Sequence, residues 1–208
     1  MPRGSRIVIP GLPHHVTQRG NRRAPIFFEP EDYAVYLRIL NAQVLRRSID
    51  IWAYCLMPNH VHLVMTPSDE RGLSLAIGEA HRRYALFVNK RADWIGHLFQ
   101  ARFSSIVMDE QHLLVAARYV SLNPVRARLV ERPEDWPWSS VRAHLSGCDD
   151  GTVRVAPLLS RIGRFAEILE EPVDDRTFAA LRQAEGDGRP LGDPGFIADI
   201  EARYGQRC

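Results

Sequence analysis

The chain has 208 residues, 45% of them hydrophobic, which suffices for one good core with a small appendage but not for several domains. No apolar stretch is long enough to cross a bilayer, Met-Pro-Arg-Gly-Ser-Arg is not a secretory leader, and Cys55, Cys148 and Cys208 are too scattered and odd in number for a disulfide framework. A reduced, cytoplasmic protein is expected. The net charge of +2 hides an asymmetry, because residues 1–146 carry 19 Lys+Arg against 13 Asp+Glu while residues 147–208 carry 8 against 12. The basic front portion fits a phosphate-bearing partner, although ordinary surface charge would read the same way. All its cations but Lys90 are arginine, a bias that favours bidentate phosphate contacts but also follows from a GC-rich genome.

In chain order, residues 13–20 read as a strand and Arg19-Gly20-Asn21-Arg22-Arg23 as a basic turn. Glu31 to Ser48 reads as an amphipathic helix with Tyr33, Tyr36, Leu37, Leu40 and Val44 on one side. Strands 49–56 and 60–66 form a hairpin through Pro58-Asn59. A helix over 72–91, a polar loop around Gly96 and a strand near 102–108 follow. Glu110 to Leu122 is a further helix, with Pro124 as its expected end. The order βαββαβ plus a helix predicts an α+β, ferredoxin-like antiparallel sheet. Gly147-Cys148-Asp149-Asp150-Gly151 marks a linker-like turn, which divides the chain into a main domain over 1–146 and a helical C-terminal extension over 147–208. Helices near 157–170 (ended by Pro172), 174–185 and 195–204 are expected there, packing on the core or steering nucleic acid.

The chemistry concentrates in two places. In His60-Val61-His62 the strand period of two puts both imidazoles on one face and Val61, Leu63 and Met65 on the other. Such a pair can decorate a solvent face, but from one rigid strand it can also grip a divalent metal. On the later helix Tyr119 and Asn123 are four apart, hence only ~40° apart around the axis. A core tyrosine with a capping asparagine is the plain reading; beside two histidines, the pair suggests a nucleophile and a third, oxygen-donating ligand. Two imidazoles, an amide oxygen and water suit Mg²⁺ or Mn²⁺ better than structural zinc.

Five blocks in this order resemble the HUH single-tyrosine transposases of bacterial insertion sequences, and more closely their REP-associated tyrosine transposase relatives. They are Pro13-His14-His15-Val16-Thr17-Gln18-Arg19-Gly20-Asn21-Arg22-Arg23, the Ala53-to-Met65 segment, Gly96-His97-Leu98-Phe99-Gln100-Ala101-Arg102-Phe103, Arg118-Tyr119 to Asn123-Pro124-Val125-Arg126, and Trp136-Pro137-Trp138-Ser139-Ser140. The resemblance spans about Arg6 to Leu145. Ala101 stands where such proteins often carry glycine, with no effect expected on the chemistry. The resemblance implies a metal-dependent single-stranded DNA endonuclease and strand transferase that recognises DNA hairpins. It implies Tyr119 as catalytic nucleophile, a 5′-phosphotyrosine link that releases a 3′-hydroxyl, and His60, His62 and Asn123 as ligands of Mg²⁺ or Mn²⁺. Relatives work as dimers or monomers, so either a homodimer or a monomer is expected.

Arg19, Arg22, Arg23, Arg82, Arg83 and Arg102 are the candidate DNA contacts, each also readable as a solvated arginine. His112, seven residues before Tyr119, is an alternative ligand or an exposed helix-start histidine. One of His14 and His15 could approach the metal edge, with a structural role favoured. Trp136 and Trp138 could stack on bases or close a core. Two other functions fit the same residues: a non-catalytic module that binds hairpin nucleic acid, and a metal-dependent hydrolase in which water attacks and Tyr119 is structural.

Overall fold

The computed structural model describes residues 7–170 and 178–204. Four antiparallel strands form one sheet in the order β2-β3-β1-β4, from β1 (His14–Arg19), β2 (Asp50–Met57), β3 (His60–Thr66) and β4 (Ser104–Val107). Helices α1 (Pro30–Arg46) and α2 (Gly72–Ala92) intervene after β1 and β3, giving the ferredoxin-like arrangement the element order predicts.

The two faces of the sheet bury different sets of side chains. Val61, Leu63 and Met65 of β3 join Val16 of β1 and the apolar sides of α1 and α2 in one cluster. Val64 and, from β2, Ala53, Cys55 and Met57 lie in a second cluster beneath α3 (Glu110–Arg126). A bulge between Ile51 and Ala53 resets the alternation of β2, so that Trp52 and Ala53 both serve the α3 side. Small Ala116 and Ala117, both fully buried, let α3 lie close on the sheet. Its start is fixed by Asp109, whose carboxylate accepts from the His112 backbone N–H at 2.8 Å.

Three sequence expectations change. Helix α3 does not stop before Pro124 but runs through it to Arg126. A proline in the last turn removes one hydrogen bond, to the Val120 carbonyl, and the packing of Val120, Leu122 and Asn123 on the sheet outweighs that loss. The helix expected over 157–170 is two helices, α5 (Ala156–Ile162) and α6 (Phe165–Glu170), separated at Gly163, whose φ of +78° ends the first. The helix expected over 174–185 is α7 (Ala179–Asp187); its expected start, like Pro172 and Cys208, lies outside the described residues. The final helix, α8, covers Pro194–Tyr204, and a short α4 (Val141–Ser146) follows the Trp-Pro-Trp segment. Trp136 and Trp138 close the core: Trp138 stacks on Tyr33 at 4.7 Å, and the Trp136 indole N–H donates to the Leu56 carbonyl at 3.0 Å. Leu158, Phe178, Leu181 and Ala184 add to the cluster beneath α3, which ties the C-terminal helices to the tyrosine helix. Among the described residues no helix is long and apolar enough to cross a membrane.

Candidate metal and nucleophile site

β1 and β3 are the two central strands, and their register decides what faces α3. Thr17 pairs with His62, Arg19 with His60 and His15 with Val64, so His15 lies on the same face as His60 and His62. His15 Nε2 and His62 Nδ1 are 3.0 Å apart with the rings nearly parallel, and the His60 and His62 ring centroids are 4.8 Å apart. His60 Nδ1 meets the Asn59 side-chain oxygen at 2.6 Å. Tyr119 stands edge-on to both inner histidines, with ring centroids 5.4 Å from His62 and 6.1 Å from His15. Asn123 lies one turn on, its carboxamide against the Tyr119 hydroxyl and its Nδ2 without a partner. The strand thus brings the predicted His60 and His62 together, and the helix lays the predicted Tyr119 over them.

Two residues that sequence reasoning did not assign complete the cluster. His15, for which a structural role was favoured, reaches His62 directly. Its neighbour His14 is the structural one, accepting from the Ile9 backbone N–H at 3.1 Å. Glu185 enters from α7, its carboxylate oxygen 3.6 Å from His15 Nδ1 and 3.8 Å from His62 Nδ1. Together His15, His62 and Glu185 form a convergent set that could hold a metal ion. His62 Nε2, His15 Nδ1 and Glu185 Oε1 are buried and have no hydrogen-bond partner. Buried polar atoms are seldom left so, and unpartnered imidazole nitrogens beside a carboxylate fit a cation. His112 does not take part, since its ring bonds Asp109 at 2.7 Å at the far end of α3.

Burial sets the electrostatics. It lowers His15 to about 3 and His60 to about 4, the latter with help from the Arg19 charge, and it pushes His62 well down too. All three imidazoles are therefore neutral at pH 7, the form that ligates metals. Burial raises Glu185 to about 7 and also raises the Tyr119 phenol, which the nearby Glu185 carboxylate pushes further. Arg126, which sequence reasoning placed only within a motif block, opposes this rise with its guanidinium 5.4 Å from the tyrosine ring. The centre is closed: Tyr119 is 7% exposed and His62 2%, and Phe178, next to α7, packs edge-on against Tyr119 at 5.2 Å.

The six candidate arginines separate into two groups. Arg19, at the end of β1 and paired with His60, and Arg22 and Arg23, on the turn that follows, are exposed. Gly20 N–H donates to the Asn59 carbonyl at 2.8 Å, and the Asn59 amide donates to the Arg23 carbonyl at 3.0 Å. That turn needs its glycine, because any Cβ at Gly20 would collide with the Ala24 carbonyl oxygen. Arg102 is exposed on the loop before β4. Arg82 and Arg83 instead both bond Glu79 on α2, across the sheet from α3. Arg22, Arg23 and Arg102 have no carboxylate partner among the described residues.

Comparison with known proteins agrees with this architecture. A family model described as "Transposase IS200 like" matches residues 9–123. A Haemophilus influenzae protein named as a REP-associated tyrosine transposase is 26% identical over 99 residues, covering 42% of this chain and 56% of that protein. The chain therefore spans little more than half the length of that relative. The structure of a REP-associated tyrosine transposase bound to a REP hairpin superposes with a TM-score of 0.60 at 20% identity, covering 74% of this chain and 92% of the other. A transposase-like structure from Deinococcus radiodurans is 21% identical with a TM-score of 0.41, covering 58% and 95%.

Proposed function

Because the chain belongs to the IS200-like transposase family, we propose that it is a metal-dependent single-stranded DNA endonuclease and strand transferase that recognises hairpins and cuts through Tyr119. The observation that carries this reading is the stacking of Tyr119 edge-on over His62 and His15, with Asn123 at its hydroxyl and neutral imidazoles beneath.

His60, His62 and Asn123 would hold Mg²⁺ or Mn²⁺, which supplies Lewis acidity to a phosphate oxygen when bound. His15 has a separate task. With His62 Nε2 as the donor atom, Nδ1 carries the proton and donates to His15 Nε2, which fixes the ring and its tautomer. Glu185 lies on the other side of His15 with a carboxylate oxygen 3.6 Å from Nδ1, too far for a hydrogen bond but near enough to favour a proton there.

The Tyr119 oxygen attacks phosphorus of the single strand, and the P–O3′ bond breaks. The phenol proton leaves, the 3′-oxygen takes up a proton, and the downstream fragment stays on Tyr119 as a 5′-phosphotyrosine. Rejoining reverses these steps, with an incoming 3′-hydroxyl displacing the tyrosine. The positive Arg126 lies where it lowers the cost of forming the phenolate. A hairpin with a single-stranded flank is the proposed partner, with Arg19, Arg22, Arg23 and Arg102 on its phosphates. Arg82 and Arg83, paired to Glu79, are proposed as the weaker contacts.

The test is a hairpin oligonucleotide with Mn²⁺ or Mg²⁺. Wild type should give a detergent-stable protein–DNA adduct that carries 3′-end label, with 5′-end label in free DNA. Tyr119→Phe keeps the ring and its packing and should bind the hairpin yet form no adduct. An adduct in that variant would identify another nucleophile, and cutting without any adduct would favour water-based hydrolysis.

A further inference from the structure

The turn between β2 and β3 carries one side chain that touches a histidine of the metal face and the basic turn at once. Asn59, half-buried, directly precedes His60. Its Oδ1 lies 2.6 Å from His60 Nδ1, and its Nδ2 donates to the Arg23 carbonyl at 3.0 Å. The backbone on both sides is fixed as well. The Gly20 N–H donates to the Asn59 carbonyl at 2.8 Å, and the Ile26 and Phe27 N–H groups donate to the Pro58 carbonyl at 2.9 and 3.2 Å. Arg22 and Arg23 hold φ angles of +53° and +62°, in the left-handed region, a bend that leaves the Arg23 carbonyl facing Asn59.

The two ends of a carboxamide are not interchangeable. A backbone carbonyl can only accept, so the Arg23 carbonyl takes the NH₂ end and leaves Oδ1 facing His60. Oδ1 also can only accept, so the ring nitrogen opposite it must carry hydrogen. A ligating imidazole is neutral and has one proton to place. Oδ1 claims that proton for Nδ1, which leaves the lone pair of Nε2 bare. An isolated neutral imidazole favours the opposite tautomer, whose proton on Nε2 would cover the donor atom. His62 reaches the same tautomer through a different anchor, His15 on β1. The proton on His60 is thus placed by a carbonyl that belongs to the basic turn.

We propose that Asn59 is the positioning residue of His60: it holds the proton on Nδ1 and bares Nε2 for the metal, because the Arg23 carbonyl fixes which way its amide points. The inference rests on the nuclease reading above and names what prepares one ligand before a cation arrives. The plainer role for Asn59 is a staple between two turns, which would leave the His60 tautomer to chance.

Asn59→Ala and Asn59→Asp separate the two roles, because both lose the bond to Arg23 and only the carboxylate can still accept from His60 Nδ1. The readouts are long-range ¹H–¹⁵N NMR of the ring nitrogens in the metal-free, full-length protein, and Mn²⁺ titration by calorimetry. Wild type should show His60 with Nδ1 protonated and Nε2 bare. Asn59→Ala should move the proton toward Nε2 and weaken Mn²⁺ binding roughly 10–100-fold, the usual effect of losing such a partner. Asn59→Asp should keep the proton on Nδ1 and bind Mn²⁺ at least as tightly as wild type, since a carboxylate raises the basicity of the ring. Equal loss of Mn²⁺ affinity in both variants would reduce Asn59 to a staple, and a wild-type His60 with its proton on Nε2 would overturn the proposal outright. Neither readout depends on cutting. The expected tautomers and affinities in a protein that forms no adduct with hairpin DNA would leave the proposal standing and refute the nuclease reading. An adduct in wild type together with unaltered Mn²⁺ affinity in Asn59→Ala would do the reverse.

Discussion

Tyr119 lies 7% exposed beneath Phe178 and α7, and Leu181→Ala tests whether α7 has to move before DNA reaches it. Leu181 is fully buried in the apolar cluster that α7 shares with β4 and α3, one turn before Glu185. Replacing such a leucine by alanine costs about 2–5 kcal/mol of packing. If ~3 kcal/mol of it falls on the docked state, the population with α7 open rises on the order of 100-fold. Nicking of a single-stranded hairpin should rise with that population until the open form dominates, and amide exchange in residues 179–187 should accelerate in step. The physical reason is that Phe178 covers the nucleophile, and Glu185 crowds the His15–His62 pair from α7. Accelerated exchange with nicking unchanged or lowered would refute the gate. A lowered rate would make Glu185 part of the working centre rather than its cover.

Three more outcomes are expected. His60→Ala and His62→Ala should abolish metal-dependent cutting while the fold survives on Val61, Leu63 and Met65; Asn123→Ala should weaken it less, His15→Ala should lower Mn²⁺ affinity roughly 10–100-fold by calorimetry, and a silent Asn123→Ala with an impaired His112→Ala would mean a misassigned ligand. Ala101→Gly should raise the melting temperature by ~2–4 °C, because Ala101 holds a φ of +52° that costs an alanine about 1 kcal/mol relative to glycine; no change would show that the strain is relieved locally. Asp32 is buried, and although burial works to raise its pKa, bonds from Arg91 and from the Phe28 and Glu29 N–H groups hold it below the ordinary 3.8. The stability it adds is therefore present above the unfolded pKa and lost as the pH falls through the folded one. Asp32→Asn should cost about 2–4 kcal/mol at pH 7 in urea unfolding and flatten the acid limb below pH ~4; an unchanged acid limb would exclude this carboxylate as its source.

What could be read from the sequence was local. Strand parity alone separates His60 and His62 from Val61, Leu63 and Met65, and helix periodicity alone puts Tyr119 and Asn123 on one side, so those pairs needed no knowledge of the fold. The role of His15 needed it. Whether His14 or His15 shares the metal face depends on the β1–β3 register, and a slip of one residue would exchange them. Glu185 is further out of reach, since it meets His62 only because α7 packs back on β4, and an acid in a helix of ordinary composition carries no mark of that. Pro124 misled for the opposite reason: its local preference is real, but tertiary packing on the last turn of α3 overrides it. Ala101 shows a partial reading. The resemblance marks the position as glycine-preferring, and only the backbone angle gives the cause.

His62 is the pivot of the centre because each of its ring nitrogens faces a different demand. Nδ1 is committed to His15, which makes the ring's orientation depend on β1, while Nε2 is buried and free. A neutral imidazole buried with one unsatisfied nitrogen costs stability, and the cost is compounded by a second ring stacked on it and a third beside it. A core serving only packing would place apolar side chains at all three positions, as β3 does on its other face. Metal binding would recover that cost only while the imidazoles stay neutral, and burial keeps His60 and His15 neutral far below pH 6. The same burial that destabilises the metal-free fold therefore protects the donor atoms from protons. That links the closed position of α7 to the chemistry beneath it: opening for DNA exposes the rings, and a bound cation would then hold them in place.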